Sequence, residues 1–107
     1  MIKVAVYGSL KRGKYNHRGM DGCKFLGETK LKGTLYRVSS YPALLEEGDN
    51  EYDAEIYEMT EEQYRPIHNM EIGAGYKVGR VDDNIVFYAD TRLAEHCKSR
   101  CEQIDSY

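Results

Sequence analysis

The stretch from residue 76 to residue 89 constrains the fold most. Two strand-like runs, 76–81 and 85–89, flank Asp82-Asp83-Asn84, and that spacing predicts a hairpin. The same pattern of short apolar runs and turn residues recurs upstream. Residues 3–6 read as a first strand, which Gly8 breaks, and Gly13 closes a turn-rich segment. Asn16 is a good N-cap for a short helix. Residues 24–38 carry Phe25, Leu31, Leu35 and Val38 around Gly27 and Gly33, which predicts two strands or one long bulged strand. Tyr41-Pro42-Ala43-Leu44-Leu45 reads as a turn entering a short strand, and Gly48-Asp49-Asn50 as a turn. Residues 51–59 alternate, with Tyr52, Ala54 and Ile56 on one face.

Helices punctuate this pattern. Thr60 and Gln63 form a capping-box pair, and Glu61 and Glu62 suit the positive end of the helix dipole. Pro66 is expected to kink or split that helix. Gly73 and Gly75 end it, and a polar helix is expected over 91–103. Strands in adjacent hairpins with few helices predict an α+β chain: a small mixed or antiparallel β-barrel with short flanking helices.

The 107 residues suit one domain, 1–107, with a single core. A net charge of -3 gives no basic footprint, so a nucleic-acid partner is not expected. The dense basic cluster is Lys11, Arg12, Lys14 and Arg18, beside the Gly-rich turn. No apolar run approaches the ~20 residues of a membrane span, and the opening run is of strand length rather than a signal peptide. Three cysteines, two of them four residues apart, do not resemble a secreted disulfide framework. A cytoplasmic protein is expected. The 10 tyrosines suit either a polar pocket or a half-exposed sheet.

Three places could carry chemistry. Tyr7-Gly8-Ser9-Leu10 ends the first strand, where a Gly lets backbone N–H groups face a concave space and bind an anion or oxyanion; a plain turn is the alternative. Tyr64, Ile67, His68 and Glu71 share one helical face, which puts a carboxylate at the edge of a core-facing stripe. Burial there would raise its pKa toward the range useful for proton transfer; a solvated Glu at a fraying end is the alternative. His96, Cys97 and Cys101 lack further ligands at suitable spacing, so no metal site is expected and Cys97 reads as a packed thiol.

The opening Val4-Ala5-Val6-Tyr7-Gly8-Ser9-Leu10-Lys11-Arg12-Gly13, with Asn16-His17, resembles the γ-glutamylcyclotransferase-like family, in its γ-glutamylamine cyclotransferase and AIG2-like branch. Phe25-Leu26-Gly27-Glu28, Gly33-Thr34-Leu35-Tyr36, Tyr41-Pro42-Ala43-Leu44, Ala54-Glu55-Ile56-Tyr57, Met70-Glu71 and Tyr76 follow in the expected order. The resemblance implies a small β-barrel with a cavity at the end of the first strand. It implies a cofactor-independent enzyme that converts a γ-glutamyl amine or amino acid to 5-oxoproline and a free amine. Glu71 would be the acid/base, with Tyr7, Gly8, Ser9, Leu10, Tyr41, Tyr76 and Tyr88 around the substrate. The family usually carries an acidic residue three positions before that Glu and a Gly directly after it, where this chain has His68 and Ile72. The expected partner is a small γ-glutamyl molecule, with the protein a monomer or weak dimer. The alternative is a non-catalytic or regulatory binding module on the same fold.

Overall fold

The computed structural model describes residues 1–8, 10–14 and 17–107. Ser9 and Asn16, singled out above, lie outside the described residues. Among the described residues, six strands form one mixed sheet in the order β4-β5-β1-β3-β2-β6. They are β1 (Ile2–Val6), β2 (Lys24–Val38), β3 (Tyr41–Met59), β4 (Tyr76–Val81), β5 (Asn84–Ala89) and β6 (Glu102–Gln103). The sheet curls into a half-barrel, with α1 (Glu61–Gly73) between β3 and β4 and α2 (Thr91–Arg100) between β5 and β6. A short 3-10 helix spans His17–Met20.

The central strand β1 is antiparallel to β3 and parallel to β5. It is apolar on both sides because both faces of the sheet are covered. Val4 and Val6 point to a core closed by Ile67 of α1 and Cys97 of α2. Ala5 and Tyr7 point to a second core with Leu31, Leu35, Leu44, Tyr52 and Val86, the concave side of the half-barrel. Every residue of β5 is buried for the same reason.

Of the two alternatives for residues 24–38, the one long bulged strand forms, with register shifts at Phe25/Gly27 and Gly33/Thr34. The second is large: Gly33 pairs with Asn50 and Thr34 with Leu45, so residues 46–49 loop out of a strand that otherwise continues. Gly48-Asp49-Asn50 therefore marks an excursion within β3 rather than a turn between strands. The Thr34 hydroxyl donates to the Glu47 carbonyl at 2.8 Å and pins it.

α1 runs unbroken through Pro66, so the helix is not split there. It lies on the exposed side, so the carbonyl of Glu62 that loses its intrahelical donor faces water. The capping box at Thr60 and Gln63 is present in both directions. The hairpin at Asp82 and Asp83 uses positive φ at both residues, 50° and 70°, the pattern of a type I′ turn. The last helix stops at Arg100: Cys101 leaves helical geometry, and Glu102–Gln103 pairs with the edge of β2 at Tyr36 and Arg37. Among the described residues, no helix is long and apolar enough to cross a membrane.

Candidate active site at the end of the first strand

Where β1 ends, its backbone meets the start of β3, the end of α1 and the starts and ends of the β4–β5 hairpin. A cavity of about 190 Å³ opens there. Tyr7, Gly8 and Leu10 form one wall, and Tyr41 and Pro42 a second. Glu71 with Met70 and Ala74 comes from α1, Tyr76 from β4 and Phe87 from β5. Gly8 lets the backbone pass close to Pro42: a Cβ there would sit 3.0 Å from Pro42 Cγ, tighter than an ordinary contact. The backbone then turns, with the Lys11 N–H donating to the Gly8 carbonyl at 3.0 Å. His17 Nδ1 donates to the Leu10 carbonyl at 2.9 Å and fixes the loop from the far side.

Glu71 sits in the last turn of α1, on the face shared with Tyr64, Ile67 and His68. Ile67 is buried and the other three are half-buried. Burial lifts the Glu71 carboxyl to about 7, and no charged neighbour contributes among the described residues. His68 does not approach this chemistry. Its Nδ1 is 3.0 Å from the Tyr64 hydroxyl, and its ring lies against Phe87.

The two buried tyrosines of the cavity have their protons committed. Tyr7 donates to the Phe87 carbonyl while accepting the Leu44 N–H at 3.2 Å. Tyr76 donates to the Pro42 carbonyl. Burial raises both hydroxyls far above the ordinary phenol range, so they stay protonated. Each can still accept a hydrogen bond from a guest, but neither has a proton free to donate.

Of the residues named from sequence, Glu71, Tyr7, Gly8, Leu10, Tyr41 and Tyr76 line this one cavity. Ser9 lies outside the described residues. Tyr88 is a correction: it is not a cavity residue. Strand alternation turns it to the concave core, where its ring occupies the space left by Gly79, whose Cβ would come within 2.7 Å of it. Its neighbour Phe87 faces the cavity instead. Pro42, Met70 and Ala74 are additional lining residues that sequence reasoning did not single out.

The basic cluster is drawn into internal contacts. Arg12 donates through its backbone N–H to Glu55 Oε1 at 2.9 Å, pairs with Glu55 and Glu28, and lies 4.2 Å over the Phe25 ring. Cys97 is a buried thiol whose pKa burial pushes up to about 12, with Cys101 alongside it. Among the described residues, no group of three or more His, Cys, Asp or Glu side chains is placed to hold a metal ion.

A model of the family described as "Gamma-glutamyl cyclotransferase, AIG2-like" matches residues 4–99. The chain belongs to this family. It is 35% identical over 80 residues to "Putative gamma-glutamylcyclotransferase PH0828" of Pyrococcus horikoshii, an alignment covering 75% of this chain and 68% of that protein. It is 39% identical over 56 residues to a "Putative gamma-glutamylcyclotransferase" of Vibrio cholerae, covering 50% and 48%. The crystal structure of the Pyrococcus protein superposes with a TM-score of 0.80 at 28% identity, covering 98% of this chain and 86% of that one. A mouse AIG2-like protein superposes at 0.78 with 22% identity, covering 100% and 88%, a likeness of fold.

Proposed function

We propose that the protein closes γ-glutamyl groups on themselves, releasing 5-oxoproline and an amine, with Glu71 moving the protons. The observation that carries this reading is a carboxyl with a pKa of about 7, raised by burial alone, on the wall of a cavity bounded by the turn after β1. Near neutral pH such a group both takes and returns a proton readily.

The α-ammonium of the substrate must lose one proton to become a nucleophile and a second as its nitrogen bonds to the γ-carbonyl carbon. The bond from that carbon to the leaving nitrogen then breaks. Glu71 passes each proton to the leaving nitrogen, which departs as an ammonium, and the enzyme ends in its starting state. The Tyr7 and Tyr76 hydroxyls, already donating to backbone carbonyls, accept from the α-ammonium and hold it facing Glu71. The backbone N–H groups of Gly8 and Leu10 serve the substrate carboxylate or the oxygen that gains charge, where one lost donor costs roughly 3 kcal/mol of barrier. Ring closure is intramolecular, so much of the remaining help is orientation against the Tyr41 and Pro42 wall. The chemistry calls for neither metal nor cofactor.

Glu71→Gln keeps the shape and removes the base. Against a panel of γ-glutamyl amines and amino acids, followed by mass spectrometry of 5-oxoproline, it is expected to lose ~10²-fold or more in kcat. Turnover at the wild-type rate would end the assignment.

A further inference from the structure

The segment after β6 continues along β2 and reaches residues next to the cavity-lining segments. Ile104 donates its N–H to the Leu35 carbonyl at 2.9 Å, which continues the β6 pairing along the edge of β2. Ile104 and Tyr107 both pack against the concave core, which includes Tyr7. Tyr107 then reaches in two directions. Its main-chain oxygen accepts from Lys11 Nζ at 3.1 Å, and its hydroxyl donates to the Ser40 carbonyl at 2.8 Å. The Lys14 ammonium lies 5.0 Å from the centre of its ring.

These partners occupy telling positions in the chain. Lys11 directly follows Leu10, at the end of one cavity wall, and its own N–H closes the turn onto Gly8. Ser40 directly precedes Tyr41 and Pro42, which also line the cavity. Ser39 beside it is held at a φ of 58°, a conformation that non-glycine residues adopt rarely. Gly8 and Pro42 are at close approach, so the two lining segments meet directly and a shift of either reshapes the cavity they share.

We propose that Tyr107 is a positioning residue: it ties the turn after β1 to the turn before β3 and so sets the separation of the two walls that hold the substrate. This rests on the reading of the cavity as the substrate site. The residue does not touch the reacting atoms, so its effect falls on how well the site is formed before binding. Lys11, with its ammonium partly buried and its pKa lowered by that burial, is committed to this tie rather than to the cavity.

The test combines motion with kinetics. Backbone order parameters of the Gly8, Lys11 and Tyr41 amides are measured by NMR in the wild type, Tyr107→Ala, Tyr107→Phe and Lys11→Met. Rigid values near ~0.85 are expected in the wild type, falling below ~0.7 in Tyr107→Ala and in Lys11→Met. Tyr107→Phe keeps the ring and loses only the Ser40 bond, so it is expected to fall between. In the 5-oxoproline assay, KM rises roughly 3- to 10-fold in Tyr107→Ala with kcat within about twofold, and adding Lys11→Met changes KM little further, since both remove one tie. Unchanged order parameters, low values already in the wild type, or a loss spread evenly over the whole sheet would each overturn the proposal. If the order parameters shift as expected while no γ-glutamyl compound is turned over, the tie stands and the cyclotransferase reading falls.

Discussion

At the scale of single residues, Glu71 joins stability to pH. Its carboxyl holds its proton up to about pH 7 in the folded chain, against an ordinary value of 4.5 once unfolded. Below pH 4.5 both states carry the proton and the residue contributes no pH dependence. Between about 4.5 and 7 the unfolded chain releases the proton while the folded chain keeps it. Stability therefore falls as pH rises through that window and levels off above it, by about 3 kcal/mol in total. Urea unfolding at pH 5 and pH 8 is expected to show this loss in the wild type and to lose most of it in Glu71→Gln. The same ionisation places the acidic limb of kcat/KM near pH 7, because only the ionised carboxylate accepts the first proton. A limb near 4.5 would mean that the carboxyl is solvated. Helical spacing offered Glu71 beside Ile67 but left a solvated carboxylate equally open, and the resemblance to the family is what singled it out. Its raised pKa was not legible, since that depends on Tyr7, Tyr76 and Phe87 closing over it from three strands.

Elements were legible where local chemistry decides them. The capping box of Thr60 and Gln63 and the hairpin after residue 81 are decided by a few adjacent residues, and both form, although the turn is the two residues Asp82 and Asp83 and Asn84 already belongs to β5. Tyr88 could not be placed relative to the cavity from sequence, because β5 is buried on both faces and alternation alone does not tell which of its side chains reach the cavity. The excursion at residues 46–49 and the pairing of β6 depend on partners tens of residues away. The helix continues through Pro66 because its cost depends on exposure: Glu62 and Pro66 are both exposed, so the helix loses one bond without stranding a buried acceptor. The cost should still be measurable. Pro66→Ala restores an N–H to the helix interior and is expected to stabilise the fold by about 1–3 kcal/mol, read as a higher urea midpoint at constant m. An unchanged midpoint would mean that the neighbouring carbonyl already has an equivalent partner in water.

At the scale of the molecule, the half-barrel has two cores on opposite faces of one sheet, and β1 runs between them. Tyr7, at the end of β1, links the strands on either side. Its hydroxyl donates to the carbonyl of Phe87 in β5 and accepts the N–H of Leu44 in β3. Phe87 places its ring in the helix-covered core, whereas Tyr7 and Leu44 belong to the concave one. One hydroxyl thus ties both neighbouring strands, and through them both cores, at the point where the cavity opens. Tyr7→Phe keeps the ring and leaves a carbonyl and an amide unpaired in buried backbone. A loss of about 2–3 kcal/mol is expected, or roughly 10 °C or more in Tm for a chain of this size. Unfolding should remain a single transition with the same m-value, because the core packing on each face is intact. Two separated transitions in the variant would show that the tyrosine hydroxyl, rather than shared burial along β1, makes the two cores unfold together. A loss under about 0.5 kcal/mol would mean that water entering through the cavity satisfies both groups, and that the wall beside Glu71 is held by packing alone.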